Sequence, residues 1–110
     1  MAKIRVVIKE PRKDAYVKFI KAKLESFQEI VQGNIEGVGI SDELSERNII
    51  AYCNDEGKIM GYRLNIYIQG RRDIISGNCV FVKGNDEGED ISLNDEDITL
   101  IKNYCDRNEL

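Results

Sequence analysis

The apolar residues of this chain change their spacing at Lys21, and that change restricts the fold more than any other feature. Before it, Ile4, Val6 and Ile8 recur at every second position, the period of a strand with one face turned to a core. After it, Leu24, Phe27, Ile30 and Val31 recur at helical spacing, with Lys23, Glu25, Gln28 and Glu29 opposite. The spacing predicts a helix over 21–32, with Gly33 and Asn34 as its stop signals. Pro11 and the polar residues around it close the first strand, whose second face carries Arg5 and Lys9 and is expected to be partly wet. Ala15 to Ile20 reads as the returning strand.

Beyond the helix, Ile35 to Ile40 reads as a short strand weakened by Gly37 and Gly39, and residues 41–48 as a polar connection with room for one helical turn. Ile49 to Cys53 is an apolar strand. The four residues Asn54-Asp55-Glu56-Gly57 suit a type I turn ending in a left-handed glycine, so the arm from Lys58 to Asn65 is expected to return along it as a hairpin. Gly70 to Gly77 reads as a loop with an apolar centre, Asn78 to Lys83 as a buried strand, and Gly84 to Asp90 as an acidic turn. The last helix has a clear entrance. Asn94 is placed to cap it with Asp97 three residues on, Leu93 can staple against Ile98, and Ile98, Ile101, Tyr104 and Cys105 form its apolar stripe.

The order of elements predicts an α+β domain spanning 1–110. It has an antiparallel sheet of about five strands, one central helix packed on it, and a C-terminal helix at an edge or on the same face. At 110 residues, 42% hydrophobic, the chain can bury a core without metal or disulfide. No apolar run is long enough to span a membrane, and the first residues enter strand-like alternation directly, so a chain without a secretory signal is expected.

Chemistry is limited chiefly by the absence of histidine, the commonest general base and transition-metal ligand. Ser-His-Asp and Cys-His catalysis cannot be assembled from this chain alone. Cys53, Cys79 and Cys105 form no Cys-x-x-Cys pair, which excludes zinc ribbons and thioredoxin-like motifs and fits a reduced, cytoplasmic protein. Seven of the twelve residues from Asp86 to Asp97 are acidic, yet an EF-hand register on Gly88 begins at Lys83 and one on Gly57 begins at Tyr52. Neither is a calcium loop. The glycines give no Walker loop and no Gly-x-Gly-x-x-Gly between strand and helix. Carboxylate pairs carry no weight among 20 acids. A net charge of −4 is too small to argue for a phosphate mimic and argues mildly against nucleic acid. No cofactor, metal or catalytic residue is therefore expected.

The best candidate ligand site joins the far end of the expected hairpin, Tyr62, Arg63 and Asn65, to Arg71, Arg72 and Asp73. Arginine grips phosphate bidentately and tyrosine can stack a base, and Lys18, Lys21 and Lys23 would extend the patch if the fold brought them near. Asn65 must be hydrogen-bonded if it is buried, either pinning a neighbouring loop or meeting a ligand.

Four ordered segments carry a resemblance: Gln28 to Glu36, Tyr52 to Asn65, Asp73 to Val82, and Ser92 to Ile98. Together they resemble domain-of-unknown-function family thirty-eight forty-six, carried by phages, plasmids and gut Firmicutes. The chain departs from that pattern in a longer 41–48 connection and in Tyr62-Arg63. The resemblance implies a small cytosolic accessory protein of a mobile element and no catalytic residue to carry over. Its matching polar positions are Asn54, Glu56, Gly57, Gly61, Asn65, Asp73 and Gly77. The expected function is a non-enzymatic binding module acting on a host protein or a small anionic ligand. The alternative is a nucleic-acid-binding accessory using Arg63, Arg71 and Arg72. Which sheet edge is free, and so the oligomeric state, is left open.

Overall fold

The computed structural model describes residues 2–110. In chain order its elements are β1 (Lys3–Lys9), β2 (Tyr16–Lys21), α1 (Leu24–Val31), β3 (Ile35–Val38), α2 (Asp42–Glu46) and β4 (Ile49–Asn54). They continue with β5 (Leu64–Ile68), β6 (Asp73–Ser76), β7 (Cys79–Gly84), β8 (Asp90–Ile91) and α3 (Asp95–Arg107). The main sheet is antiparallel with spatial order β2-β1-β7-β4-β3, and β8 pairs with β7 beyond the end of β1. The fold is α+β, as the change of period predicts.

The central strands are covered on both faces, which accounts for runs such as Val6-Val7-Ile8 and Val80-Phe81-Val82 that are apolar without alternation. On one face Val6, Ile8, Val80 and Val82 pack under Phe27 and Val31 of α1. On the other, Val7, Phe81, Ala51 and Cys53 pack under Ile98, Ile101, Tyr104 and Cys105 of α3 and under Ile66, Ile68 and Ile75 of a β5–β6 hairpin. The C-terminal helix thus lies on the face opposite α1, not beside it. An apolar second face left bare would cost about 25 cal/mol per Å². For the same reason the second face of β1 is covered at Val7 and at Lys9, which is only 2% exposed, while Arg5 on that face stays partly exposed as expected.

Helix α1 starts later than its period suggests because Lys21 still pairs with Lys3 in the sheet. It ends where Gln32 turns left-handed (φ 66°) and Gly33 N–H donates to Gln28 O at 3.1 Å. The entrance to α3 is as the sequence indicates. Asn94 Oδ1 accepts from Asp97 N–H at 2.8 Å, Asp97 Oδ2 accepts from Asn94 N–H at 3.0 Å, and Leu93 and Ile98 are buried beside the cap.

The expected hairpin of β4 with the arm after Gly57 does not form. Both edges of β4 are occupied, by β3 and by β7, so no edge remains for a returning arm. The chain instead leaves the sheet at Asn54, whose Oδ1 accepts from Glu56 N–H at 2.8 Å while its Nδ2 donates to Val31 O and Gln32 O, both at 3.2 Å. Two helix-like bonds follow, Met60 N–H to Glu56 O and Tyr62 N–H to Gly57 O. The arm then enters the second layer as β5 and pairs with β6, a strand inside the stretch 70–77 that reads as a loop from sequence.

Candidate functional site

A cleft of about 320 Å³ opens where the β5–β6 hairpin and the turn after Asn54 close over β3 and β4. Val38, Cys53, Ile68 and Ile75 make its apolar floor, and Lys58, Arg71 and Asp73 stand among its rim residues. Lys58 pairs with Asp73, and this ammonium together with the Ile74 N–H (2.8 Å) holds the Asp73 carboxyl below its ordinary value. Arg71 has no carboxylate within ion-pair distance among the described residues. The Cys53 thiol is pushed up to about 11 by burial, with Glu36 adding to it, so it is a packing group and not a nucleophile at neutral pH. Burial likewise raises Cys105 to about 12 and Cys79 well above the usual range.

The hairpin divides the residues that sequence groups into one site. Arg71 and Arg72 sit at its tip and Asp73 begins β6, whereas Tyr62 and Arg63 lie at its open end, where Gly77 N–H donates to Arg63 O at 2.8 Å. The intervening strand spans roughly 15 Å at about 3.3 Å per residue, so the two arginine groups face different surroundings. Tyr62 packs over Gly77, and a Cβ on that glycine would come within 2.8 Å of the ring.

Asn65 is fully buried and its amide is spent inside the protein. Nδ2 donates to Lys9 O and Gly77 O, both at 2.8 Å, and Oδ1 accepts from Lys9 Nζ at 3.1 Å. The Lys9 ammonium completes its shell with Glu10 O at 2.8 Å and the Glu109 carboxylate at 2.7 Å. One buried lysine thus ties β1, β5 and the C-terminal residues together. A comparable knot lies at the entrance to α3. Burial alone would raise the Asp97 carboxyl, but Asn94 N–H, Lys83 (3.0 Å) and Arg47 (3.1 Å) outweigh it and hold the group below its ordinary value.

The most exposed apolar strand lies elsewhere. β2 ends the main sheet, with β1 as its only neighbour among the described residues, and Tyr16, Val17, Lys18 and Phe19 are all exposed, Phe19 by 59%. A groove of about 460 Å³ runs between β2 and α1, with Tyr16, Lys18, Ile20, Glu10 and Glu29 among its lining residues. Among the described residues, Lys3, Arg12, Lys18, Lys21 and Lys23 have no carboxylate within 4.0 Å. Charge is partitioned to match. Eight of the 16 basic residues but only two of the 20 acids fall within residues 1–23, a net charge of +6 there against −10 over 24–110. The overall value of −4 conceals this partition, and counting charge by segment is the signal that locates the edge from sequence.

Fold and surface together define an α+β domain with a two-sided main sheet, a hairpin layer and a basic, partly apolar edge strand. The chain belongs to the family described as Domain of unknown function (DUF3846), whose family model matches residues 4–107 and so takes in nearly every element named above. No curated protein and no solved structure matches it.

Proposed function

We propose that this protein is a non-enzymatic interaction module that docks an acidic macromolecular partner on the edge formed by β2 and the turn before it. The observation that carries this reading is an edge strand with Tyr16, Val17 and Phe19 in solvent, flanked by unpaired Lys3, Lys18 and Lys21 on a molecule that is otherwise acidic. Edge strands with exposed apolar residues are costly to leave uncovered, because they invite unselective pairing. The buried, proton-holding thiols also argue for a surface role over nucleophilic chemistry. Retention on immobilised polyglutamate at low salt tests it. Wild-type protein is expected to bind and to elute as salt screens the contact. Lys18→Glu with Lys21→Glu is expected to abolish retention, while Arg71→Ala with Arg72→Ala leaves it intact. The opposite pattern would move the docking surface to the hairpin tip.

A second reading rests on the cleft, where Arg71 and Lys58 flank an apolar floor of a size that suits a small anionic ligand. Lys58 is already engaged by Asp73, which leaves Arg71 as the one unpaired cation among the described residues lining the cleft. Arg71→Ala should then weaken binding of small carboxylates and phosphates without altering retention on polyglutamate.

A further inference from the structure

We infer that the partner is an extended acidic segment that adds to the sheet as a new strand beside β2. This rests on the docking reading above and specifies its geometry. The side chains of β2 alternate. Tyr16, Lys18 and Ile20 point to the α1 side, and Val17, Phe19 and Lys21 to the other, as the register against Ile8, Val6 and Ile4 requires. The exposed aromatics Tyr16 and Phe19 are therefore on opposite faces. Tyr16 is further held by its hydroxyl, which donates to Glu10 Oε2 at 2.9 Å.

A single-stranded nucleic acid stacks its bases along one continuous platform, and this arrangement offers none. A strand lying in the plane of the sheet meets both faces at once. Its backbone takes up the N–H and C=O groups of β2 that face away from β1, its acidic side chains meet Lys18 on the α1 face, and its apolar residues cover Val17 and Phe19 on the other, with Lys21 at the end of the strand adding to the positive field. A second copy of this chain fits poorly, because it would set one lysine-rich edge against another. The lysines that admit an acidic strand thus exclude neutral and like-charged ones.

The test uses a labelled peptide of about eight residues alternating Glu and Val, long enough to run the length of β2 at roughly 3.3 Å per residue, with fluorescence anisotropy as the readout. Methylating alternate backbone nitrogens on the pairing edge is expected to weaken binding about tenfold or more, since charge is kept and backbone pairing is lost. Lys18→Glu with Lys21→Glu should weaken it by at least as much. Equal binding of the methylated peptide would overturn strand addition while leaving a basic docking edge in place. Failure of both peptides and of polyglutamate to bind would overturn the edge itself. Preference for an oligothymidylate of similar length would replace the peptide with nucleic acid, and concentration-dependent dimers seen by sedimentation would replace it with a second copy.

Discussion

Two buried side chains carry more of this structure than their small size suggests. Asn65 closes the contact of β5 with β1 and with Gly77, and among the described residues no other side chain donates to Lys9 O or Gly77 O. Asn65→Ala would leave the Gly77 carbonyl and one face of the Lys9 ammonium without this partner, at roughly 1 to 3 kcal/mol for each group not reached by water. A loss of about 3 kcal/mol is expected, read as a lower urea midpoint at unchanged slope. A shift under about 0.5 kcal/mol would mean the network relaxes around the gap. Asp97 makes a prediction in pH. Its native carboxyl lies below the unfolded value of about 3.9, so its contribution is fully present above about pH 4 and is lost as pH falls through the native value. Asp97→Asn should cost about 1 to 3 kcal/mol at neutral pH, since Lys83 and Arg47 lose the charge of their shared partner while Arg47 keeps Glu96. It should also flatten the acid limb of the stability curve. Parallel acid limbs for the two proteins would contradict this assignment.

At the level of elements, the departure of the chain from the sheet at Asn54 decides where the candidate cleft lies. Gly57 sits where that turn passes β6, and a Cβ there would lie 2.5 Å from Ser76 O, a backbone atom that cannot swing aside. Gly57→Ala should therefore cost about 1 to 3 kcal/mol, visible in the same urea titration, and should open the cleft without touching β2. A neutral result would mean that the hairpin layer floats on the sheet. The position of this hairpin is also the part of the fold that sequence did not reveal. The apolar periods of β1, α1, β7 and α3 are local and can be read directly, as can the capping box of Asn94 and Asp97. Whether the arm after Gly57 pairs with β4 or with β6 depends on which edges of β4 are already taken, a property of the whole sheet. The candidate site inherited that ambiguity. Tyr62 and Arg71 are close in sequence, but β5 runs between them, and Asn65 proves to be a buried pin.

For the molecule as a whole, the defining feature is the division of charge. A chain of net charge −4 presents one edge of opposite sign, built from the β1–β2 arm, and that edge also carries the exposed aromatics of β2. Lys18→Glu with Lys21→Glu should leave stability within about 0.5 kcal/mol of wild type, because both side chains are exposed and unpaired, while removing the attraction for acidic partners. Thermal unfolding of the double variant checks the first half, and a large fall in midpoint would show that these lysines serve the fold. The most direct test of strand docking is amide hydrogen exchange, residue by residue, with and without the alternating Glu-Val peptide. Slowed exchange at alternate amides within Tyr16–Lys21, those facing away from β1, is the expected result. Protection confined to Lys58 and Arg71–Ile74, or no change along β2 at peptide concentrations that saturate binding, would contradict it.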